Sequence, residues 1–179
     1  MDNMNEQEKE MVILAGITKL VDYLVDQSLS ESTGEVMSPY EVIYKFVSDL
    51  ANDELPDPIR ELVYAIRSTD HRQLISAYLS RYERQYLQVN NEDDTVITPE
   101  ISRFSQLMCE SAKQEDEDEL LTMLEVLYNV LNVMNTADES SEEFQLAADI
   151  LQLNALQHYT LIFTFSDQYF EMWGGSLNE

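Results

Sequence analysis

The chain has 179 residues, a formal net charge of −25, 44% hydrophobic residues, and 10 Tyr, 6 Phe and 8 Met. That apolar and aromatic content excludes a wholly disordered acidic chain, while the charge disfavours nucleic acid and anionic membrane as direct partners, because phosphates would be repelled. With only 4 Gly and 4 Pro to make turns, the expected class is all-α, a single compact irregular bundle of about seven to eight helices over 1–179.

Helix one is expected from about Asn5 to Leu29, on a face made by Ile13, Ile17, Leu20 and Leu24 and widened by Val12, Leu14, Val21 and Val25. Ser38-Pro39-Tyr40-Glu41 is a start signal for helix two: Ser38 can accept from the third helical N–H, and Pro39 has the φ of a first helical residue. Asp57-Pro58 is expected to open helix three with Asp57 as its cap, and Ser68-Thr69-Asp70 to restart the chain as helix four, running to about Gln88. The acidic loop 89–97 is the candidate boundary if two subdomains exist. Thr98-Pro99-Glu100 starts helix five, with Ile101, Phe104, Leu107 and Met108 as core positions.

The spacing of Leu120, Leu124, Leu127, Leu131 and Met134 predicts a central packing helix, and five consecutive acids, Glu115, Asp116, Glu117, Asp118 and Glu119, run directly into it. At a helix N-terminus the macrodipole favours such charge. Ser140 and Glu143 form a candidate capping box for helix seven. The run 159–165 is ambiguous, since period alone does not separate a buried helix from an irregular or strand-like segment. Continued or broken helix to Trp173, stopped by Gly174-Gly175, is the favoured reading.

Charge is distributed unevenly. From Gln114 to the C-terminus there are 14 acids and neither Lys nor Arg. Acids four apart, such as Glu6/Glu10, Asp22/Asp26, Asp49/Asp53, Glu115/Glu119, Asp138/Glu142 and Glu139/Glu143, are like-charge neighbours wherever both members are helical. Each such pair destabilises by about 0.2–0.5 kcal/mol, and its spacing of about 5–6 Å is close to that of successive phosphates. Residues 60–84 run against the trend, with Arg60, Arg67, Arg72, Arg81 and Arg84 interleaved with Tyr64, Tyr78, Tyr82 and Tyr86. Arg and Tyr anchor protein interfaces; internal salt bridges to the acidic C-terminal half are the simpler reading.

Signals for catalysis are sparse. His71 and His158 belong to no Glu-x-x-His or His-Glu-x-x-His pattern. Cys109, the single cysteine, reads as a buried thiol and implies a reducing compartment. Glycines at 16, 34, 174 and 175 cannot form a phosphate loop. Asn90-Asn91-Glu92-Asp93-Asp94 lacks the alternation and turn glycine of a calcium loop. No catalytic residue, metal or cofactor is therefore expected. The N-terminus lacks a basic segment followed by an apolar run, so the expected location is cytoplasmic, without a membrane partner.

In charge and helicity the chain resembles phage-type DNA-mimic inhibitors of restriction or CRISPR systems. The expected role is that of a non-enzymatic acidic binding protein, an inhibitor presenting a carboxylate surface to a basic, nucleic-acid-binding partner. Its candidate surface is Glu115, Asp116, Glu117, Asp118, Glu119, Glu125, Asp138, Glu139, Glu142 and Glu143. The alternative is a structural or assembly adaptor, or a toxin-immunity protein. Such a protein would bind through an apolar helical face or through Arg67, Arg72, Tyr78, Arg81 and Tyr82. Leu161–Phe165 and Tyr169–Trp173 could fill the core or support a homodimer.

Overall fold

Local capping and apolar periodicity divide the chain into eight α-helices among the residues described by the computed structural model, namely 5–29, 33–87, 97–113 and 120–174. These are α1 (Glu6–Ser28), α2 (Pro39–Ala51), α3 (Asp57–Ala65), α4 (His71–Tyr86), α5 (Pro99–Ser111), α6 (Met123–Asn132), α7 (Glu142–Leu151) and α8 (Ala155–Trp173). Short 3-10 turns at Ser68–Asp70 and Val133–Asn135 lead into α4 and out of α6. The fold is an all-α irregular bundle. The candidate boundary loop 89–97 lies outside the described residues apart from its last position, Ile97.

The starts of α2 and α5 follow the sequence signal. Ser38 Oγ accepts from the Glu41 N–H and Thr98 Oγ1 from the Ile101 N–H, each at 3.2 Å, with Pro39 and Pro99 as the first helical residues. The end of α2 closes with bonds from Asp53 N to Leu50 O and from Glu54 N to Asp49 O at 3.3 and 2.7 Å. Asp53 there has φ 58°, the left-handed turn that releases a helix end.

Several expected boundaries move, each for a local reason. Pro56, not Asp57, precedes α3 and makes no side-chain cap; Asp57 is the first helical residue and accepts from Arg60 at 2.7 Å. Ser141, not Ser140, caps α7, because Ser140 turns back and donates from its N–H and hydroxyl to Asp138 at 3.0 Å. The central helix begins at Met123 rather than Leu120: Thr122 and Glu125 bond each other's backbone N–H at 3.2 Å and fix the start. Leu120 instead pairs in a short antiparallel bridge with Lys113. Leu120, Leu121 and Thr122 thus lie in the chain between the five-acid run, which is outside the described residues, and α6, whose first turn carries Glu125. Thr122→Ala is expected to lower stability by about 1 kcal/mol, the usual cost of losing a cap, measured as a shift in the urea midpoint.

The strand-like alternative at 159–165 also falls: those residues lie inside α8, which Asn154 and Gln157 open by bonding each other's backbone N–H at 2.8 and 2.9 Å. α8 ends at Trp173 as expected, with Gly174 as its C-cap in right-handed helical geometry, φ −54°.

One apolar cluster takes fully buried side chains from every helix but α3. The most extensive pairing is α5 on α8, followed by α1 on α4 and α2 on α6, with α7 covering α6. Tyrosines tie this core together. Tyr40 donates to Leu127 O at 2.9 Å, Tyr82 to Met37 O at 2.7 Å and Tyr169 to Leu121 O at 2.6 Å, while Tyr78 OH meets Ser28 Oγ at 2.8 Å. Each ring fills apolar space while its hydroxyl satisfies a backbone or hydroxyl group. Trp173 extends the pattern, donating from Nε1 to Cys109 O at 3.0 Å across the α5–α8 pair.

The first half of α1 is the exception. Val12 and Leu14, expected on the buried face, are 51% and 47% exposed, and Met11 is 69% exposed. Here α1 lies beside α3, a nine-residue helix without a fully buried residue. On α5, Leu107 likewise faces outward rather than into the core.

Candidate functional site

The five acids Glu115–Glu119 lie outside the described residues, as do Asn90–Asp94. The other acidic candidates are exposed and lie at the two ends of α6 and the start of α7. Glu125 stands on the first turn of α6; Asp138 and Glu139 occupy the turn after it; Glu142 and Glu143 stand on the first turn of α7. Their placement has local causes as well. Glu125 completes a cap, and the α7 macrodipole favours Glu142 and Glu143 by about 0.3–1 kcal/mol each. Asp138 accepts from the Ser140 N–H and hydroxyl, which hold its carboxyl below the usual range and keep it ionised.

Ion pairs are scarce on this side among the described residues. All ten Lys and Arg are among the described residues, and of the described acids from Leu120 onward only Asp167 forms an ion pair, with Arg72 at 3.0 Å. Asp149 is met instead by the neutral amide of Gln145 at 2.9 Å. Most of the described acids here therefore have no ion-pair partner among the described residues. It is not a regular ladder, however. Of the described acids spaced four apart, Glu6/Glu10, Asp22/Asp26, Asp57/Glu61 and Asp167/Glu171 have both members in one helix, and of these only Asp167/Glu171 lies beyond Leu120.

The Arg/Tyr candidates divide between core and surface. Tyr78 and Tyr82 are 0% exposed and fill the centre of the bundle. They cannot anchor a partner, because their one-sided spacing on α4 is the inward face of that helix. Arg67 pairs with Asp70 at 3.3 Å and Arg81 with Asp22 on α1. Arg72 alone reaches the C-terminal half: it bonds Asp167 and lies 4.2 Å over the ring of Phe170. Thus the expected bridge between the two halves exists at one point, while Arg60 is held locally by Asp53 and Asp57.

The nucleophile and base candidates are internal. Cys109 is 0% exposed, and burial pushes its thiol up to about 12, so it remains protonated at neutral pH. His158 joins three elements: its Nε2 donates to Ile150 O at 2.6 Å and its Nδ1 accepts from the Ser38 hydroxyl at 2.8 Å. A carbonyl can only accept, which fixes the proton on Nε2. His71, at the start of α4, is 9% exposed and its Nδ1 has no hydrogen-bond partner among the described residues. Among those residues no group of three His, Cys, Asp or Glu is placed to hold a metal, and no helix is long and apolar enough to cross a membrane.

No family model, curated protein or solved structure matches the chain.

Proposed function

We propose that the protein is a non-enzymatic binding protein whose α6–α8 side engages a basic protein surface, as an inhibitor of a nucleic-acid-binding partner. One observation carries this reading: the acids from Glu125 to Glu171 are without a cationic partner among the described residues, Asp167 alone excepted. Unpaired exposed charge of one sign contributes little to stability but steers association with a surface of opposite sign. A DNA-mimic arrangement is the finer form of the proposal, in which the acids take the place of phosphates on the partner.

Affinity capture from the native cell, with wild type and an Asp138→Asn, Glu139→Gln, Glu142→Gln, Glu143→Gln variant, tests both forms. A basic partner should be held at about 50 mM salt, largely released as salt screens the contact at about 0.5 M, and associate at least roughly tenfold more slowly with the variant. Duplex DNA should compete for the same partner if the acids replace phosphates. Retention that ignores salt and the variant would overturn the proposal. The adaptor reading keeps support from the exposed apolar surface of α1, not from Tyr78 and Tyr82.

A further inference from the structure

Where α7 turns into α8, one buried imidazole joins three helices. His158, 1% exposed, stands in the first turn of α8 and uses both ring nitrogens: Nε2 donates to Ile150 O at 2.6 Å, and Nδ1 accepts from the Ser38 hydroxyl at 2.8 Å. Both partners also hold a helix end. Ile150 O takes the Leu153 N–H at 3.1 Å and closes the end of α7. Ser38 Oγ accepts from the Glu41 N–H at 3.2 Å and starts α2. The α7–α8 corner is thus tied to the start of α2 through a ring that fits in one charge state only. A proton on Nδ1 removes the acceptor to which the Ser38 hydroxyl donates, and it places a cation where water does not reach.

The surroundings do little to hold that cation. From α2, Tyr40 stands edge-on to the ring at 5.7 Å and gives its own hydrogen to Leu127 O of α6. Glu41, also on α2, is exposed and is the charged group that pulls on the ring. On α7, Asp149, beside Ile150, accepts from Gln145; on α8, Tyr159 donates to Glu83 of α4. Burial outweighs both the Ile150 carbonyl and Glu41, so the ring's pKa is lowered. Of the three helices joined here, α7 is the least anchored. It buries Ala147 and Ile150 fully, against six residues of α2 and seven of α8. Elements with few buried contacts open at the lowest free energy.

We propose that His158 is an acid-operated latch: neutral, it holds the end of α7 to the start of α2, and protonated, it lets α7 come away from α6 while the rest of the bundle stays folded. Release uncovers the side of α6 and of the Val133–Asn135 turn on which α7 packs. The latch stands whatever the acids bind. Its sign follows from linkage. The opened form binds a proton near the ordinary value of about 6.5, the closed form only at lower pH, so the opening constant rises by up to about tenfold per pH unit below about 6.5.

Amide hydrogen exchange at about pH 7, 6 and 5, converted to protection factors and run in 1 M salt, tests this. Protection at residues 147–153 should fall at least about tenfold from pH 7 to pH 5 relative to the cores of α1 and α4. In His158→Gln, whose amide can donate to Ile150 O and accept from Ser38, that relative fall should shrink to less than about twofold. Should this variant not fold, the wild-type ring decides by NMR: the His158 titration should run in step with the loss of protection. A fall shared equally by all helices, the same fall in folded His158→Gln, or a ring still neutral where α7 has opened would each overturn the latch.

Discussion

Phe165→Ala is expected to cost about 3–5 kcal/mol of stability, while Phe163→Ala, two residues earlier on the same helix, should cost less than about 1 kcal/mol. Phe165 is 0% exposed, sits edge-on to Tyr169 at 5.8 Å, and lies on the α5 side of α8, where Cys109 Sγ approaches its carbonyl at 3.7 Å. Removing the ring leaves a cavity that α5 and α8 can close only in part, since Trp173, Gln168 and Tyr169 bind α8 to neighbouring backbone and side chains along its length. Phe163 is 48% exposed and stacks only on Tyr159, so its loss returns little surface to water. The contrast is also a test of secondary structure. In a helix, residues two apart point to different sides; in a strand they share a face. Urea unfolding should show a large fall in midpoint for Phe165→Ala with an unchanged slope, and a small one for Phe163→Ala. Equal losses would mean that 159–165 does not pack as α8. Against a typical total of about 5–15 kcal/mol, the larger loss is enough to leave a measurable unfolded fraction.

The helix content and many boundaries were legible because their causes are local. Proline at a first helical position after Ser38 or Thr98 needs no tertiary partner to be read. The caps that escaped, Thr122 with Glu125 and Asn154 with Gln157, lie within or beside apolar runs whose period continues through them. Periodicity reports a face but not what covers it. For that reason Val12 and Leu14 were expected on the buried face, although both are exposed. The same limit applies to α4: Tyr78 and Tyr82 have the residue types of an interface, and only the position of α1 and the chain at Met37 reveals that they are cross-ties inside the bundle. For the acidic side, the absence of bases after Lys113 was plain in the sequence. Which arginines would reach it was not, because ion pairing depends on how separate helices meet, and among the described residues Arg72 is the arginine that pairs with an acid of α8.

Two buried histidines make stability fall on mild acidification, with a sign that opposes the effect of the protein's own charge. Burial lowers His71 from 6.5 to about 4, against the smaller opposing pull of Asp70 and Glu125. His158 is also lowered by burial, opposed by the Ile150 carbonyl and by Glu41, and its neutral form is locked between Ser38 and Ile150. Between their native and unfolded values, the unfolded chain binds protons that the native state does not. Stability is therefore fully present above about pH 6.5 and is lost as pH falls, at roughly 1.4 kcal/mol per pH unit for each such histidine. His71 alone should account for about 2 kcal/mol at pH 5, still above the ordinary carboxylate range. Repulsion among 35 acids acts in the other direction, because any protonation of carboxylates eases compaction. Salt separates the two: at 1 M the screening length is only about 3 Å, which suppresses repulsion across the surface but hardly touches the desolvation of a buried ring. Urea unfolding at 1 M salt should thus show stability declining steadily from pH 7 to pH 5. His71→Leu removes the titrating group together with its unpartnered Nδ1, and should flatten a large part of that slope with little loss at pH 7. An unchanged slope in that variant would show that His71 is not the group responsible.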